Sequence, residues 1–283
     1  MHSLGVHQVA DTKDATVIGF TAVVGAFPRL LMISAKLKRL LVTWRPDLVV
    51  TIDSPGLLLP IARRARQLGI PAVHWVSPQV WAWRPGRIPQ IAASVDRLLA
   101  LLPMEPSLYR EVGLDVRLTG HPVLDRAAEA KKRAPSISSS TSAPLILLAP
   151  GSRTGEIKRH WPVMRAVANL VLQQLPSATF VVPVANSVDA SSLSGLDVRF
   201  ETDLLSAAIE ADIALVASGT ATLEVAAVGT PMVVIYKTNS LNWWLGKRLI
   251  TGVRHLALTN IIADEMVSPE HLQQLDPTAI CAD

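Results

Sequence analysis

Leu145-Ile146-Leu147-Leu148-Ala149-Pro150-Gly151-Ser152-Arg153-Thr154-Gly155-Glu156-Ile157-Lys158-Arg159 is the stretch on which the fold turns. Its first five residues form the short continuous apolar run of a strand buried in a parallel sheet. Pro150-Gly151-Ser152 breaks that run before a helical pattern begins, so strand, glycine loop and helix follow in order. In such a unit the loop N–H groups and the positive end of the helix dipole converge on one spot that suits a phosphate. Arg153 adds a rigid fork of donors there. Alone, the stretch reads as an ordinary βα turn. A second loop of the same kind makes it half of a diphosphate site. Residues 212–217 predict a strand, Ser218-Gly219-Thr220 a loop, 221–228 a helix and Met232–Tyr236 the next strand. Ser218, Gly219 and Thr220 are expected to cap that helix and turn backbone N–H groups toward phosphate, with Glu224 placed to reach ribose hydroxyls.

The first half of the chain repeats this grammar. A β-branched strand over 48–52 ends in Asp53-Ser54-Pro55-Gly56, a helix covers 57–68, and a strand over 72–76 ends in Ser77-Pro78. The repetition predicts an α/β protein of two tandem parallel-sheet domains, over 1–126 and 144–283. Between them, 127–143 carries a charged run and a serine-rich stretch and reads as a linker or exposed loop. Ligands of open α/β sheets bind beyond the carboxyl ends of the strands. The loops at Asp53, Ser77, Gly151 and Ser218 are therefore expected to face a shared interdomain cleft. Residues 17–32 are strongly apolar and lead into a helix over 29–41 bearing Lys36, Lys38 and Arg39. Pattern alone leaves open an interfacial membrane segment or a core helix with a solvated basic side.

Composition narrows the partners. With 283 residues, 49% of them hydrophobic, the chain can bury one large core or two smaller ones. A single cysteine, Cys281, excludes an intrachain disulfide, and the seven histidines are scattered, so no metal site is expected. A formal charge of +4 and a pI near 9.5 favour phosphorylated ligands or an acidic membrane surface. Nucleic acid is not expected, because the aromatic residues do not interleave with the basic ones as a stacking platform requires.

Three stretches carry a resemblance: Val76-Ser77-Pro78-Gln79-Val80-Trp81-Ala82-Trp83-Arg84, Ala149-Pro150-Gly151-Ser152-Arg153-Thr154-Gly155-Glu156, and Ala217-Ser218-Gly219-Thr220-Ala221-Thr222-Leu223-Glu224. With Gly120-His121-Pro122 and the segment 243–262 they resemble the lipid-A-disaccharide synthase family over about 15–275. The resemblance implies a GT-B glycosyltransferase that inverts the anomeric centre, with no cofactor. Its expected reaction moves 2,3-diacylglucosamine from UDP to the 6-hydroxyl of 2,3-diacylglucosamine 1-phosphate, at the cytoplasmic face of the inner membrane. The first domain then binds acceptor and lipid, the second UDP-sugar, and a homodimer stays open. Residue by residue it implies Asp53 as general base, and Arg153, Glu224 and Asn260 as UDP-site residues beside the glycine loops. Arg84 and Arg87 are expected to hold the acceptor phosphate, whereas Trp81 and Trp83 read equally as packing or as acyl-chain contacts.

The chain departs from the family pattern at Gly56-Leu57-Leu58, where the family has D-F-N. The family's opening strand with its G-E-x-S-G-D loop is not found before Met1, nor its C-terminal segment after Asp283, so a shortened chain is expected. Two alternatives remain at this level: a non-catalytic UDP-sugar or lipid-binding remnant, and another GT-B UDP-sugar enzyme such as an epimerase. The second accounts for the glycine loops but not for Val80-Trp81-Ala82-Trp83-Arg84.

Overall fold

The computed structural model describes residues 20–133, 143–185, 188–250 and 252–283. They form two compact units that divide between Gly120 and His121. The first runs α1 (Phe20–Trp44), β1 (Val49–Ile52), α2 (Pro55–Gln67), β2 (Ala72–Trp75), α3 (Ile88–Ala92), β3 (Arg97–Ala100), α4 (Glu105–Leu108) and β4 (Asp115–Leu118). Its strands lie in the order β1-β2-β3-β4, all parallel. Ala72 and Leu98 pack on one face with Ile61, Ala65, Ile91 and Tyr109. On the opposite face of β1 Val50 and Ile52 remain 53% and 47% exposed. Helix α1 extends well past the predicted 29–41. It packs through Leu41 yet presents Leu31, Met32 and Trp44 to solvent beside the exposed Lys36, Lys38 and Arg39. Residues 17–19 of the apolar segment lie outside the described residues. Among the described residues no helix is long and apolar enough to cross a membrane.

The second unit opens with α5 (Pro122–Arg133) and continues β5 (Leu145–Ala149), α6 (Thr154–Gln174), β6 (Thr179–Pro183), β7 (Arg199–Glu201), α7 (Leu204–Glu210), β8 (Ile213–Ala217) and α8 (Thr220–Val228). It ends with β9 (Met232–Tyr236), α9 (Ser240–Leu249), α10 (Leu258–Ala263), β10 (Glu270–Leu272) and α11 (Pro277–Ala282). The parallel strands are ordered β10-β9-β8-β5-β6-β7. From β5 the chain winds outward one way, and from β8 it winds the other way. The junction between these strands is therefore the topological switch point where doubly wound sheets bind ligands. Cores on both faces explain the unbroken apolar runs. Ile146 and Leu148 pack beneath α6 with Trp161 and Met164, while Leu147 and Ala149 point to the other side, toward Ala207 and Val225.

The boundary differs from the expected one. Residues 127–133, read as the start of a linker, are the end of α5, which packs against α7 and α8 and buries Val123 and Ala127. The charged run is the solvated side of an amphipathic helix, and Lys131, Lys132 and Arg133 complement the negative end of its dipole. Residues 134–142, including the serine-rich stretch, lie outside the described residues.

Candidate functional site

A cavity of about 430 Å³ opens at the switch point of the second unit, within the size range of small-molecule sites. It brings together Gly151, Ser152, Arg153, Ser218, Gly219, Thr220 and Glu224, all predicted from sequence, and adds Arg126, Glu156 and Asp203. On the β5–α6 side Gly151 takes φ +113, and a Cβ there would stand 2.6 Å from Glu156 Oε2, so only glycine fits. Glu156 accepts the Ser152 N–H at 3.1 Å and an Arg153 guanidinium N–H at 2.6 Å. From α6 the buried His160 fixes the base of this loop. Its Nδ1 lies 2.9 Å from the Pro150 carbonyl, and its Nε2 accepts the Lys237 N–H at 3.0 Å. A carbonyl can only accept and an amide N–H only donates, so the ring is the neutral Nδ1–H tautomer.

On the β8–α8 side the structure revises one expectation. Ser218 does not cap the helix: its N–H donates to the Ile235 carbonyl at 2.9 Å and its hydroxyl to the Leu256 carbonyl at 3.0 Å. Both donors are spent on holding the loop. Gly219, at φ +152, is the N-cap, and Thr220 and Ala221, which line the cavity, stand in the first turn, where N–H groups have no intrahelical acceptors. Glu224 closes the far end, only 14% exposed, with Arg126 3.8 Å away. Arg126 stands 3.7 Å from Asp203 as well. Burial pushes the Glu224 carboxyl up; Arg126 draws it back and Asp203 reinforces the burial. Arg126 is not legible as a site residue when 1–126 is read as the first domain, because the division falls between Gly120 and His121. Its position one turn beyond His121-Pro122 was the available signal.

Asn260 does not line the cavity. It is fully buried, and its amide donates to the Ser268 carbonyl at 2.8 Å and to Glu270 at 2.7 Å while accepting the Ser268 N–H at 2.9 Å. Glu270 in turn accepts the N–H groups of Leu256 and Ala257. Asn260 thus bears on the cavity through Glu270, the 256–257 turn and the Ser218 hydroxyl.

In the first unit Asp53 ends β1, its N–H donating to the Trp75 carbonyl at 2.9 Å. Asp53 and Ser54 sit at φ 52 and 44, a left-handed pair that costs backbone energy and places the aspartate on an exposed turn. Its carboxylate accepts no hydrogen bond among the described residues, so it caps nothing there. The loop after β2 is bracketed by two further left-handed residues, Val76 at φ 77 and Arg84 at φ 57. Trp81 is pinned: its indole N–H donates to the buried Glu105 at 3.2 Å, and Glu105 also accepts the N–H groups of Leu101 and Leu102 at 3.0 Å. Trp83 is half-buried beneath the exposed Arg84, whose guanidinium lies 4.8 Å from the ring centroid. Arg87 closes the short turn that follows.

Two buried histidines make stability depend on pH. Burial lowers His74 to about 4, against the opposing pull of Asp53, and burial also lowers His160. The unfolded chain takes up these protons near pH 6.5 and the folded one does not, so stability is fully present above pH 6.5 and falls as pH drops toward 4. For His74 the loss across that window amounts to roughly 3 kcal/mol. Denaturant midpoints between pH 7.5 and 4.5 should show this slope, and His74→Gln should flatten it; an equal slope in the variant contradicts the assignment.

These features define a class: an α/β protein of GT-B architecture, with two parallel-sheet units and a cavity at the switch point of the second. A family model described as lipid-A-disaccharide synthetase matches residues 1–280. The chain belongs to that family, whose members are glycosyltransferases of lipid A biosynthesis. It is 37% identical to the lipid-A-disaccharide synthase of Syntrophus aciditrophicus, over all of this chain and 77% of that protein. Identity is 37% to the Geobacter metallireducens synthase, covering 96% and 73%, and 38% to that of Xanthomonas campestris, covering 99% and 68%. Among solved structures, the Methanocaldococcus jannaschii UDP-GlcNAc 2-epimerase in complex with UDP-GlcNAc and UDP is similar at a TM-score of 0.54 and 12% identity, over 90% of this chain and 72% of that one. The S. aureus MnaA–UDP structure gives 0.53 and 15%, over 89% and 74%. These likenesses concern the fold.

Proposed function

We propose that this glycosyltransferase moves 2,3-diacylglucosamine from its UDP derivative to the 6-hydroxyl of 2,3-diacylglucosamine 1-phosphate, in one displacement that inverts the anomeric centre. The observation that carries the reading is the cavity between two glycine loops, with Arg153 at one side and Glu224 at the other. The β5–α6 loop and the first turn of α8 offer N–H donors to the diphosphate, Arg153 meets the charge that grows on the departing UDP, and Glu224 accepts from the ribose hydroxyls. Asp53 takes the proton of the attacking hydroxyl, a role its unengaged carboxylate supports. Arg84 and Arg87 receive the acceptor phosphate on the loop that Glu105 and Trp81 hold in shape. Incubation with both lipid substrates, with the disaccharide and UDP measured together, tests the reaction. UDP binding without any turnover would favour the non-catalytic reading instead.

The protein works as a peripheral membrane protein at the cytoplasmic face. Leu31, Met32 and Trp44 stand exposed on α1 beside Lys36, Lys38 and Arg39, an apolar surface flanked by positive charge. Cosedimentation with anionic vesicles is expected at low salt and should weaken as salt rises. Absence of a lipid-bound fraction at low salt would refute the membrane role.

A further inference from the structure

Glu156 holds the donors that a phosphate on the β5–α6 loop would need. One carboxylate oxygen takes the Ser152 N–H at 3.1 Å, the other takes Arg153 at 2.6 Å, and the first lies 2.6 Å from where a Gly151 side chain would begin. The residue is the third of α6, where a negative charge also favours the helix dipole. A carboxylate with two charge-assisted bonds at this spot is chemically an internal anion. A phosphate arriving while it stays would meet a like charge in contact with its own donors. The side chain is 27% exposed, so it can swing outward without crossing the core.

Resting on the reading of this cavity as a nucleotide diphosphate site, we propose that Glu156 is a specificity-determining residue: its carboxylate occupies the anion position of the unliganded loop and competes with the ligand's phosphate. The competition screens out weak anions. Free inorganic phosphate has only this loop to bind and must displace an anion already in place. A nucleoside diphosphate recovers the cost through the α8 turn and Glu224. Because the Arg153–Glu156 pair is solvent-exposed and three residues apart on a helix terminus, its displacement costs little. The effect on UDP affinity is correspondingly about two- to fivefold.

The test is calorimetry on the full chain with UDP, and with inorganic phosphate as competitor. Glu156→Gln keeps the shape and removes the charge, so UDP should bind about two- to fivefold more tightly and phosphate should compete at lower concentration. Glu156→Asp keeps the charge at the helix terminus but withdraws it by one methylene from Ser152, and it should shift both readings the same way even if the glutamine variant folds poorly. Unchanged or weaker UDP binding in the folded variants overturns the inference, because a glutamate that merely steadies Arg153 predicts weakening. If the unsubstituted protein binds no UDP at all, the nucleotide reading itself fails, and this inference with it.

Discussion

Asp53→Asn is expected to slow glycosyl transfer by about 10²–10⁴-fold, the usual contribution of a general base, while UDP affinity stays the same. The substitution separates charge from shape unusually well at this position. Asp53 and Ser54 take left-handed backbone conformations, and asparagine tolerates that region at least as well as aspartate does, so the turn between β1 and α2 should persist. The carboxylate makes no hydrogen bond among the described residues, so its loss removes no cap. Steady-state rates with both lipid substrates, UDP calorimetry and a thermal melt on the same protein decide the matter. Intact turnover would put the base elsewhere. A joint fall in melting temperature and UDP binding would make Asp53 a structural residue.

Arg153→Ala carries the second largest effect. Removing a charge-assisted bond to phosphate costs about 1.5–3 kcal/mol, roughly 10- to 150-fold in affinity. The guanidinium is already engaged, bonded to Glu156 at 2.6 Å with 59% of the side chain exposed. Exchanging that exposed pair for phosphate returns less than making a bond anew, by up to about 1 kcal/mol, so the lower half of the range is expected. Thermal stability should barely change for the same reason. Identical UDP affinity in calorimetry would remove Arg153 from the site.

The part of this protein legible in its sequence is the part fixed by local chemistry. The unbroken apolar run 145–149 belongs to a strand covered on both faces, and glycine between strand and helix marks a loop whose backbone can approach a ligand. Those rules are enough for the two parallel sheets and for both glycine loops of the cavity. They are not enough for partners. Ser218 has the composition of a helix cap, yet its hydroxyl goes to Leu256, and Asn260 turns inward to Ser268 and Glu270. Residues 129–133 have the composition of a linker, yet they complete a helix that brings Arg126 to Glu224. His160, ten residues beyond the Pro150 carbonyl it meets, joins Pro150 to Lys237 across the sheet. Periodicity tells which face of an element is buried, because burial repeats with the helix or strand. Which donor meets which acceptor depends on packing between segments far apart in the chain, and only the tertiary structure decides it.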